Sequence, residues 1–198
     1  CCGNGAVLRL IKTYRNDLQL EGYDYAKIST SEVDFRLYSE VDCADLPLPD
    51  KHVRAVCSQF GLEYVGEKAW HEVARVATPD ASLAFIVHHE GSKLVQANAK
   101  RSAALSAFLA SGLFDRGRSA ASGNNVPDVD DIVRGLAHAH FGQSVISELF
   151  RAIQHAVQSQ PFGITLIDKI ERKAISELRR LQAMQKAAMD ERQINDMA

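Results

Sequence analysis

The feature that most constrains the fold is a change in the apolar pattern near residue 90. Between Gly3 and His89, short apolar runs alternate with segments of helical periodicity, whereas only helical periodicity follows Gly91. Alternating strands and helices are typical of an α/β domain built around a parallel sheet. The sequence therefore predicts an α/β domain over residues 1–92 and a helical segment over residues 93–198.

The same pattern predicts the individual strands and helices. The predicted strands cover residues 18–24, 35–42, 53–58 and 83–87, and a weak helix or turn covers residues 25–33. The predicted helices cover residues 6–14, 68–77, 93–114, 132–157 and 167–188, and Pro79 is expected to break the chain after the second. A polar connection covers residues 117–128, and Asp128 or Asp130 is expected to cap the helix that follows.

Charge and apolar run length exclude several classes of function. Lys and Arg number 23 against 25 Asp and Glu, so there is no basic surplus that would neutralise a phosphate backbone. The apolar runs are shorter than the roughly 20 residues that a membrane span requires. We therefore expect a cytoplasmic protein that binds neither nucleic acid nor a membrane.

The four cysteines indicate neither a zinc site nor a disulfide scaffold. Cys1, Cys2, Cys43 and Cys57 contain no Cys-x-x-Cys pair and no regular framework. The sequence thus predicts reduced thiols and no metal site. Because Cys1 stands where a methionine would start a complete chain, we also expect a fragment of a longer protein.

A glycine turn opens the first predicted helix. Cys2-Gly3-Asn4-Gly5 allows a tight backbone turn and lets N–H groups at the helix start face a ligand. The dinucleotide-binding fingerprint requires a third glycine three residues after Gly5, and Leu8 occupies that position. The turn therefore favours a cofactor with a smaller anionic group and disfavours a nicotinamide-dependent oxidoreductase.

Two aspartates end the next two predicted strands. Asp24 follows Gly5 at a spacing where a carboxylate of a doubly wound sheet can accept from both hydroxyls of a ribose. Asp42 ends the following strand and can accept a hydrogen bond from an adenine amino group. The alternatives are a helix cap or a solvated loop for Asp24, and an ordinary strand end for Asp42.

These motifs together resemble the class I S-adenosylmethionine-dependent methyltransferases over about the first 92 residues. The matching segments, in the family's order, are CCGNG (1–5), GYD (22–24), DCADLPLPD (42–50), SQFGLEY (58–64), HEVARVATPD (71–80) and LAFIVHHEGS (83–92). The Leu-Pro and Arg-Val segments are similar to a small-molecule branch that includes quinone-biosynthesis methyltransferases. The resemblance implies a Rossmann-like, doubly wound, mostly parallel sheet and S-adenosyl-L-methionine as cofactor.

The resemblance also implies which residues contact that cofactor. The turn of Cys2, Gly3 and Gly5 would lie at the methionine part, Asp24 would hold the ribose, Asp42 and the N–H of Cys43 would meet the adenine, and Ser58 would lie beside the methionine part.

Two departures from the family's pattern concern structural positions. The usual Pro-Gly-Gly turn reads Pro79-Asp80-Ala81, and Arg54 replaces an acidic residue. A third concerns the sheet, because the family's central first strand would precede Cys1 and its last two strands would follow the chain. We therefore expect truncation at both ends.

Methyl transfer is an in-line displacement in which alignment supplies much of the acceleration, so no universal catalytic residue is expected. His88 and His89 end the last predicted strand, at the edge where open α/β folds bind ligands, and are candidates for positioning or deprotonating an acceptor. The alternative is that one packs against a helix and the other is solvated. Gln59, Glu63 and Tyr64 are weaker candidates at the same edge.

The sequence therefore predicts methyl transfer from S-adenosylmethionine to a small-molecule acceptor. In this interpretation the helical segment caps the substrate site; alternatively, its helices complete the core or form a homodimer contact. A second hypothesis is a non-catalytic, methyltransferase-like regulatory or interaction module. A nicotinamide-dependent oxidoreductase is the third.

Overall fold

The chain divides into two compact units. The computed structural model describes residues 2–28, 34–159 and 161–196. The first unit comprises Cys1–His89 and Ala187–Ala198, and the second comprises Glu90–Lys186. Most of the turn predicted at residues 25–33 lies outside the described residues, as does Cys1.

The first unit contains both helices and strands, and the described residues of the second unit form helices without strands. In chain order the elements are α1 Ala6–Tyr14, β1 Glu21–Tyr23, β2 Arg36–Tyr38, β3 Val53–Gln59, a 3-10 helix Leu62–Tyr64, α2 Glu67–Val76 and β4 Ala77–Ile86. They continue with α3 Lys93–Ala110, α4 Leu113–Ala121, α5 Asp130–Ala139, α6 Val145–Gln158, α7 Gly163–Ala187 and α8 Glu191–Asn195. The predicted mixed α/β class and the bounds of the first helix are confirmed.

The described strands form two separate parallel pairs. β1 pairs with β2, and β3 pairs with β4. The helix α2 connects β3 to β4 along the chain as a crossover. Parallel strands require such a crossover, which places α2 on one face of the β3–β4 pair. The family resemblance implies a single doubly wound sheet, and these two separate pairs do not confirm it.

The first two strands are shorter than predicted. The carbonyl of Leu18, at the start of the predicted first strand, accepts a hydrogen bond from Lys12 Nζ at 2.7 Å instead of pairing with a strand. Glu40 has a φ of 60°, which removes the chain from extended geometry after β2. The second strand therefore ends before Asp42, not at it.

The fourth strand begins earlier than predicted, at Ala77, and therefore contains Pro79. The register passes from Val53 opposite Ala77 to Ala55 opposite Ser82, so the segment around Pro79 bulges out of the ladder. Proline has no N–H to donate, and a bulge is one of the places where a strand accommodates it. The helix before it still ends near the predicted position, at Val76.

The core of the first unit lies between α2 and the β3–β4 pair. Trp70 and Phe85 meet edge to face with ring centroids 5.2 Å apart. The buried cluster consists of Cys43, Leu62, Ala69 and Val73, with Val56, Val65, Trp70 and Phe85 packed against it. This packing attaches the segment around Cys43 to α2.

Glycines interrupt two of the helices that the periodicity predicts. Gly112, with a φ of 75°, separates α3 from α4, and Gly142, with a φ of 81°, lies between α5 and α6. Gly117, predicted to begin a connection, lies inside α4. The N-cap residue of α5 is Val129, so neither Asp128 nor Asp130 occupies the predicted cap position. Asp128 Oδ1 instead accepts a hydrogen bond from the N–H of Asp130 at 3.0 Å.

The second unit has its own apolar core. Its buried members are Ala104, Leu105, Phe108, Leu113, Phe114, Ala121, Val145, Ile146, Ile153, Ala156, Ile167, Ala174 and Leu181. Among the described residues, none of the helices is both long enough and apolar enough for a membrane span.

Candidate cofactor-binding site

The glycine turn before α1 uses its two glycines differently. Gly5 has a φ of 76°, and a Cβ on it would lie 2.9 Å from Phe35 Cε2, so both conformation and packing require glycine. Gly3 has a φ of 53°, and a Cβ on it would meet nothing within 4 Å. The backbone at Gly3 therefore borders open space at the start of a helix.

This turn is bonded to the end of β1. The N–H of Cys2 donates to the carbonyl of Tyr23 at 2.9 Å, and the N–H of Gly3 donates to Asp24 Oδ2 at 2.7 Å. The packing is close, since a Cβ on Gly22 would lie 2.9 Å from Cys2 Sγ. The structure thus brings the predicted residues Cys2, Gly3 and Asp24 together.

The Asp24 carboxylate is half-buried and held by backbone donors. Its Oδ1 accepts from the N–H of Ala26 at 2.9 Å, and its Oδ2 accepts from Gly3. Burial by itself raises the pKa of Asp24, but the N–H groups of Ala26 and Gly3 contribute to a net pKa below the usual range. Asp24 is therefore an ionised acceptor at neutral pH. Burial raises the pKa of the adjacent Cys2 thiol.

Asp42 and Cys43 follow β2 and face different surroundings. The exposed Asp42 accepts from the N–H of Ala44 at 2.9 Å, forming a local turn. Cys43 is only 6% exposed and belongs to the apolar cluster of the first unit. The pair thus consists of an anchored residue and a carboxylate at the surface.

Ser58 lies near the carboxyl end of β3, opposite Phe85 of β4. Its Oγ accepts from the N–H of Leu62 at 3.3 Å, which fixes the turn from the strand into the 3-10 helix. The structure therefore gives Ser58 a local structural contact, and its proposed contact with a cofactor stays a prediction.

His88 is buried and paired with Glu63. The His88 Nδ1 lies 2.8 Å from Glu63 Oε1, with 6% and 1% of the two side chains exposed. The ring of His88 packs against the ring of Phe60, with centroids 4.5 Å apart, and meets the ring of Tyr64 edge-on, with centroids 5.8 Å apart. Glu63 Oε2 is buried and has no hydrogen-bond partner among the described residues.

The backbone of the two histidines is held by the C-terminal segment. The N–H of Met189 donates to the carbonyl of His88 at 2.7 Å, and His89 forms a parallel bridge with Met189. His89 is half-buried. Of the weaker candidates, the fold brings both Glu63 and Tyr64 to His88. The sequence alone carries no signal for this pairing, because Glu63 reads as an ordinary helix-start residue.

The second unit contains a cavity of about 400 Å³ between α4, the connection after it and α6. Its lining is apolar on the side of Phe150 and Val157, with Arg116 and Asp128 also at its wall. In the described part of the chain, no three His, Cys, Asp or Glu side chains are grouped as a metal site would require.

Comparison with known protein families gives a match to one part of the chain. Residues 1–85 match a family described as "Methyltransferase domain", which supports methyl transfer as the general activity. The match includes the glycine turn, Asp24, Asp42 and Ser58, and it ends before His88. No curated protein matches the chain, and no solved structure matches it.

Proposed function

We propose that the protein transfers a methyl group from S-adenosylmethionine to a small-molecule acceptor. The observation that carries the proposal is the hydrogen bond from the N–H of Gly3 to the Asp24 carboxylate at 2.7 Å. This hydrogen bond connects the glycine turn to the carboxylate of Asp24 after β1, so the two predicted cofactor-binding features lie side by side. The match of residues 1–85 to a methyltransferase domain supports methyl transfer in general.

The residues present fit such a cofactor. Gly3 leaves open space where a side chain would otherwise stand, which suits close approach of a ligand to the backbone. Asp24 supplies carboxylate oxygens, which are the acceptors that ribose hydroxyls require. Asp42 supplies a surface carboxylate for the amino group of adenine, beside the anchored Cys43.

The chain's contribution to the reaction is binding and alignment. When bound, the cofactor would supply an activated methyl group on a positively charged sulfur, and that sulfur would keep the electron pair of the broken C–S bond. Gly3, Gly5 and Asp24 would hold the donor in place, and holding two reactants in line accounts for much of the acceleration in such displacements. That the helical segment 93–198 caps the acceptor stays a prediction from the sequence.

His88 is the proposed acceptor of a proton from the substrate. Its Nδ1 faces Glu63 at 2.8 Å, so a proton on Nδ1 would leave Nε2 with a lone pair. A carboxylate that orients an imidazole in this way also stabilises the imidazolium that forms. His89 is the alternative residue for this role.

Calorimetric titration with S-adenosylhomocysteine tests the proposal. Loss of a charge-assisted hydrogen bond costs about 1.5–3 kcal/mol, so Asp24→Ala should weaken binding by about ten- to a hundredfold. Asp17→Ala is the matched control, because that exposed carboxylate pairs with Arg15 away from the glycine turn. An equal dissociation constant for the wild-type and Asp24→Ala proteins would contradict the assignment.

Two further outcomes discriminate between functions. Binding of NADH instead of S-adenosylhomocysteine would favour the oxidoreductase hypothesis. Binding of S-adenosylhomocysteine without transfer of labelled methyl to any acceptor in a small-molecule screen would favour a non-catalytic module.

A further inference from the structure

Arg75 of α2 donates hydrogen bonds to the segment between β2 and β3 that contains Asp42. Its Nη1 donates to the carbonyl of Leu48 at 2.8 Å and to Asp50 Oδ1 at 2.7 Å, and its Nη2 donates to the carbonyl of Leu46 at 3.2 Å. One guanidinium thus holds three positions of a segment that has no helix or strand of its own.

Glu72 completes this arrangement one turn earlier on α2. Its carboxylate receives two bonds from Arg75, from Nε at 2.8 Å and from Nη2 at 2.6 Å, and it also accepts from the N–H of Leu46 at 2.7 Å. Glu72 is only 8% exposed. The guanidinium of Arg75 holds the pKa of Glu72 below its usual range, against the effect of burial. The pair is therefore ionised and geometrically defined.

The two ends of the segment are also attached to the first unit. Cys43 is buried in the cluster with Val73, and the N–H groups of Lys51 and His52 donate to the carbonyls of Arg75 and Val76 at 2.8 and 2.7 Å. Asp42 precedes Cys43, and its carboxylate bonds to the N–H of Ala44. The orientation of Asp42 is thus set by backbone that α2 holds in place.

We infer that Arg75, together with Glu72, is a positioning residue for nucleobase recognition, and that it aligns Asp42 with the exocyclic amino group of an adenine. The inference rests on the proposed function, because it requires that the site binds an adenosine-containing cofactor. Arg75 itself contacts no ligand in this account. It determines selectivity for the base through the backbone of residues 42–50.

Lysine cannot reproduce this contact pattern. Arginine presents five N–H donors in a planar fork, whereas lysine carries a compact ammonium on a flexible stem. Arg75→Lys keeps the charge and much of the apolar stem, but it loses the simultaneous bonds to Glu72, Leu46 and Leu48. The matched control is Arg15→Lys, because Arg15 makes the same two-pronged contact with Asp17, through Nε at 2.9 Å and Nη2 at 2.8 Å, on the exposed surface.

The test compares two ligands that differ only at the base. S-Adenosylhomocysteine carries a 6-amino group and an unprotonated N1, whereas S-inosylhomocysteine carries a 6-oxo group and a protonated N1. We expect the wild-type protein to prefer the adenosyl compound by about tenfold or more, as the loss of one hydrogen bond to a charged acceptor predicts. Arg75→Lys should reduce this ratio at least about threefold, Asp42→Asn should reduce it similarly, and Arg15→Lys should leave it unchanged.

A merely structural role predicts a different result. If Arg75 only stabilises the fold, Arg75→Lys weakens both ligands by the same factor and the ratio stays at the wild-type value, which overturns the inference. Glu72→Gln keeps a carbonyl oxygen for the N–H of Leu46 but weakens the bonds from Arg75, and it replaces Arg75→Lys if that variant does not fold. It should likewise lower the ratio, and an unchanged ratio overturns the inference.

Failure of the proposed function gives a different result from failure of this inference alone. If the wild-type protein binds neither compound, the proposed function and this inference are both wrong. If it binds both compounds equally, recognition of the amino group is wrong while cofactor binding stands.

Discussion

At the scale of single residues, the pair of Glu63 and His88 shows how burial changes the role of an ordinary side chain. Both side chains are removed from water, and Glu63 Oε1 accepts from the backbone N–H of His88 at 3.3 Å in addition to its 2.8 Å contact with Nδ1. A buried polar group that loses its partner retains the full cost of its desolvation. The two residues should therefore be energetically coupled.

A double-mutant cycle tests this coupling. Glu63→Ala and His88→Ala should each lower the free energy of unfolding by about 1–3 kcal/mol, because each leaves a buried group unpaired. The double variant should lose less than the sum of the two, by about 0.5–3 kcal/mol. Urea unfolding followed by the fluorescence of Trp70, the single tryptophan, reports on the first unit. Strict additivity would show that the pair is not coupled.

We expect the contribution of Glu72 to the free energy of unfolding to depend on pH. Its pKa in the folded protein lies below the value in the unfolded chain, so the folded state binds fewer protons near that pH. The stability that it contributes is fully present above the unfolded pKa of about 4.3 and is lost as the pH falls through the folded pKa. In urea unfolding between about pH 6 and pH 3, the stability advantage of the wild-type protein over Glu72→Gln should shrink. A constant difference would contradict this assignment.

At the scale of the elements, the helices of the second unit approach one another at small residues. A Cβ on Gly117 of α4 would lie 2.6 Å from Ile153 Cγ2 of α6, and a Cβ on Gly163 would lie 2.8 Å from the carbonyl oxygen of Ala156. Arg118 adds a polar connection between α4 and α7, because its Nη1 donates to Glu171 Oε2 at 2.7 Å. These contacts explain why α4 extends through a glycine that alone would favour a connection.

Two glycine-to-alanine substitutions should have opposite effects. Gly117→Ala adds a methyl group where Ile153 already packs, so overpacking of about 1–3 kcal/mol opposes the helix preference for alanine of about 1 kcal/mol. Gly135→Ala in α5 is the matched control, because nothing lies within 4 Å of its Cβ position, and it should stabilise the protein.

Thermal unfolding followed by circular dichroism measures both effects. The midpoint should fall for Gly117→Ala and rise for Gly135→Ala. Combining Gly117→Ala with Ile153→Ala should cost less than the two changes made separately, since the second removes the obstructing methyl group. A rise in the midpoint for Gly117→Ala would show that the helices separate at no cost.

At the scale of the whole molecule, the end of the chain returns to the first unit. Residues 187–198 belong to the same compact unit as residues 1–89, although the second unit separates them in the chain. Met189 is 8% exposed, and a capping box between Asp190 and Gln193 starts α8 directly after it. The first unit is thus discontinuous in sequence.

Removal of residues 187–198 should therefore destabilise the first unit selectively. Loss of the buried Met189 side chain costs about 1.5–3 kcal/mol, and its hydrogen bond to the carbonyl of His88 adds about 0.5–1.5 kcal/mol. The urea midpoint of Trp70 fluorescence should fall. Met189→Ala, which keeps the backbone bond, is the control and should cause a smaller decrease. Equal midpoints for the full and shortened chains would contradict the assignment.

Features that depend on neighbouring residues were determined by the sequence itself. The bounds of α1, the glycine turn, the spacing from Gly5 to Asp24 and the change to helices after Gly91 all follow from local preference and apolar periodicity. The sequence also identified Asp24 as a carboxylate at a strand end, but only the structure showed its hydrogen bond with the N–H of Gly3. The assignments of site residues to a ligand all stay predictions; these residues are Cys2, Gly3, Gly5, Asp24, Asp42, Cys43, Ser58, His88 and His89.

Only the tertiary structure decided which distant residues become partners. Glu63 meets His88 across 25 residues, and Arg75 meets the carbonyl of Leu48 across 27, and neither contact has a local pattern. The bulge at Pro79 likewise depends on the register with β3, and the length of α4 depends on α6. These features are set by packing and hydrogen-bond satisfaction between elements, whose free energy exists only once the chain has folded.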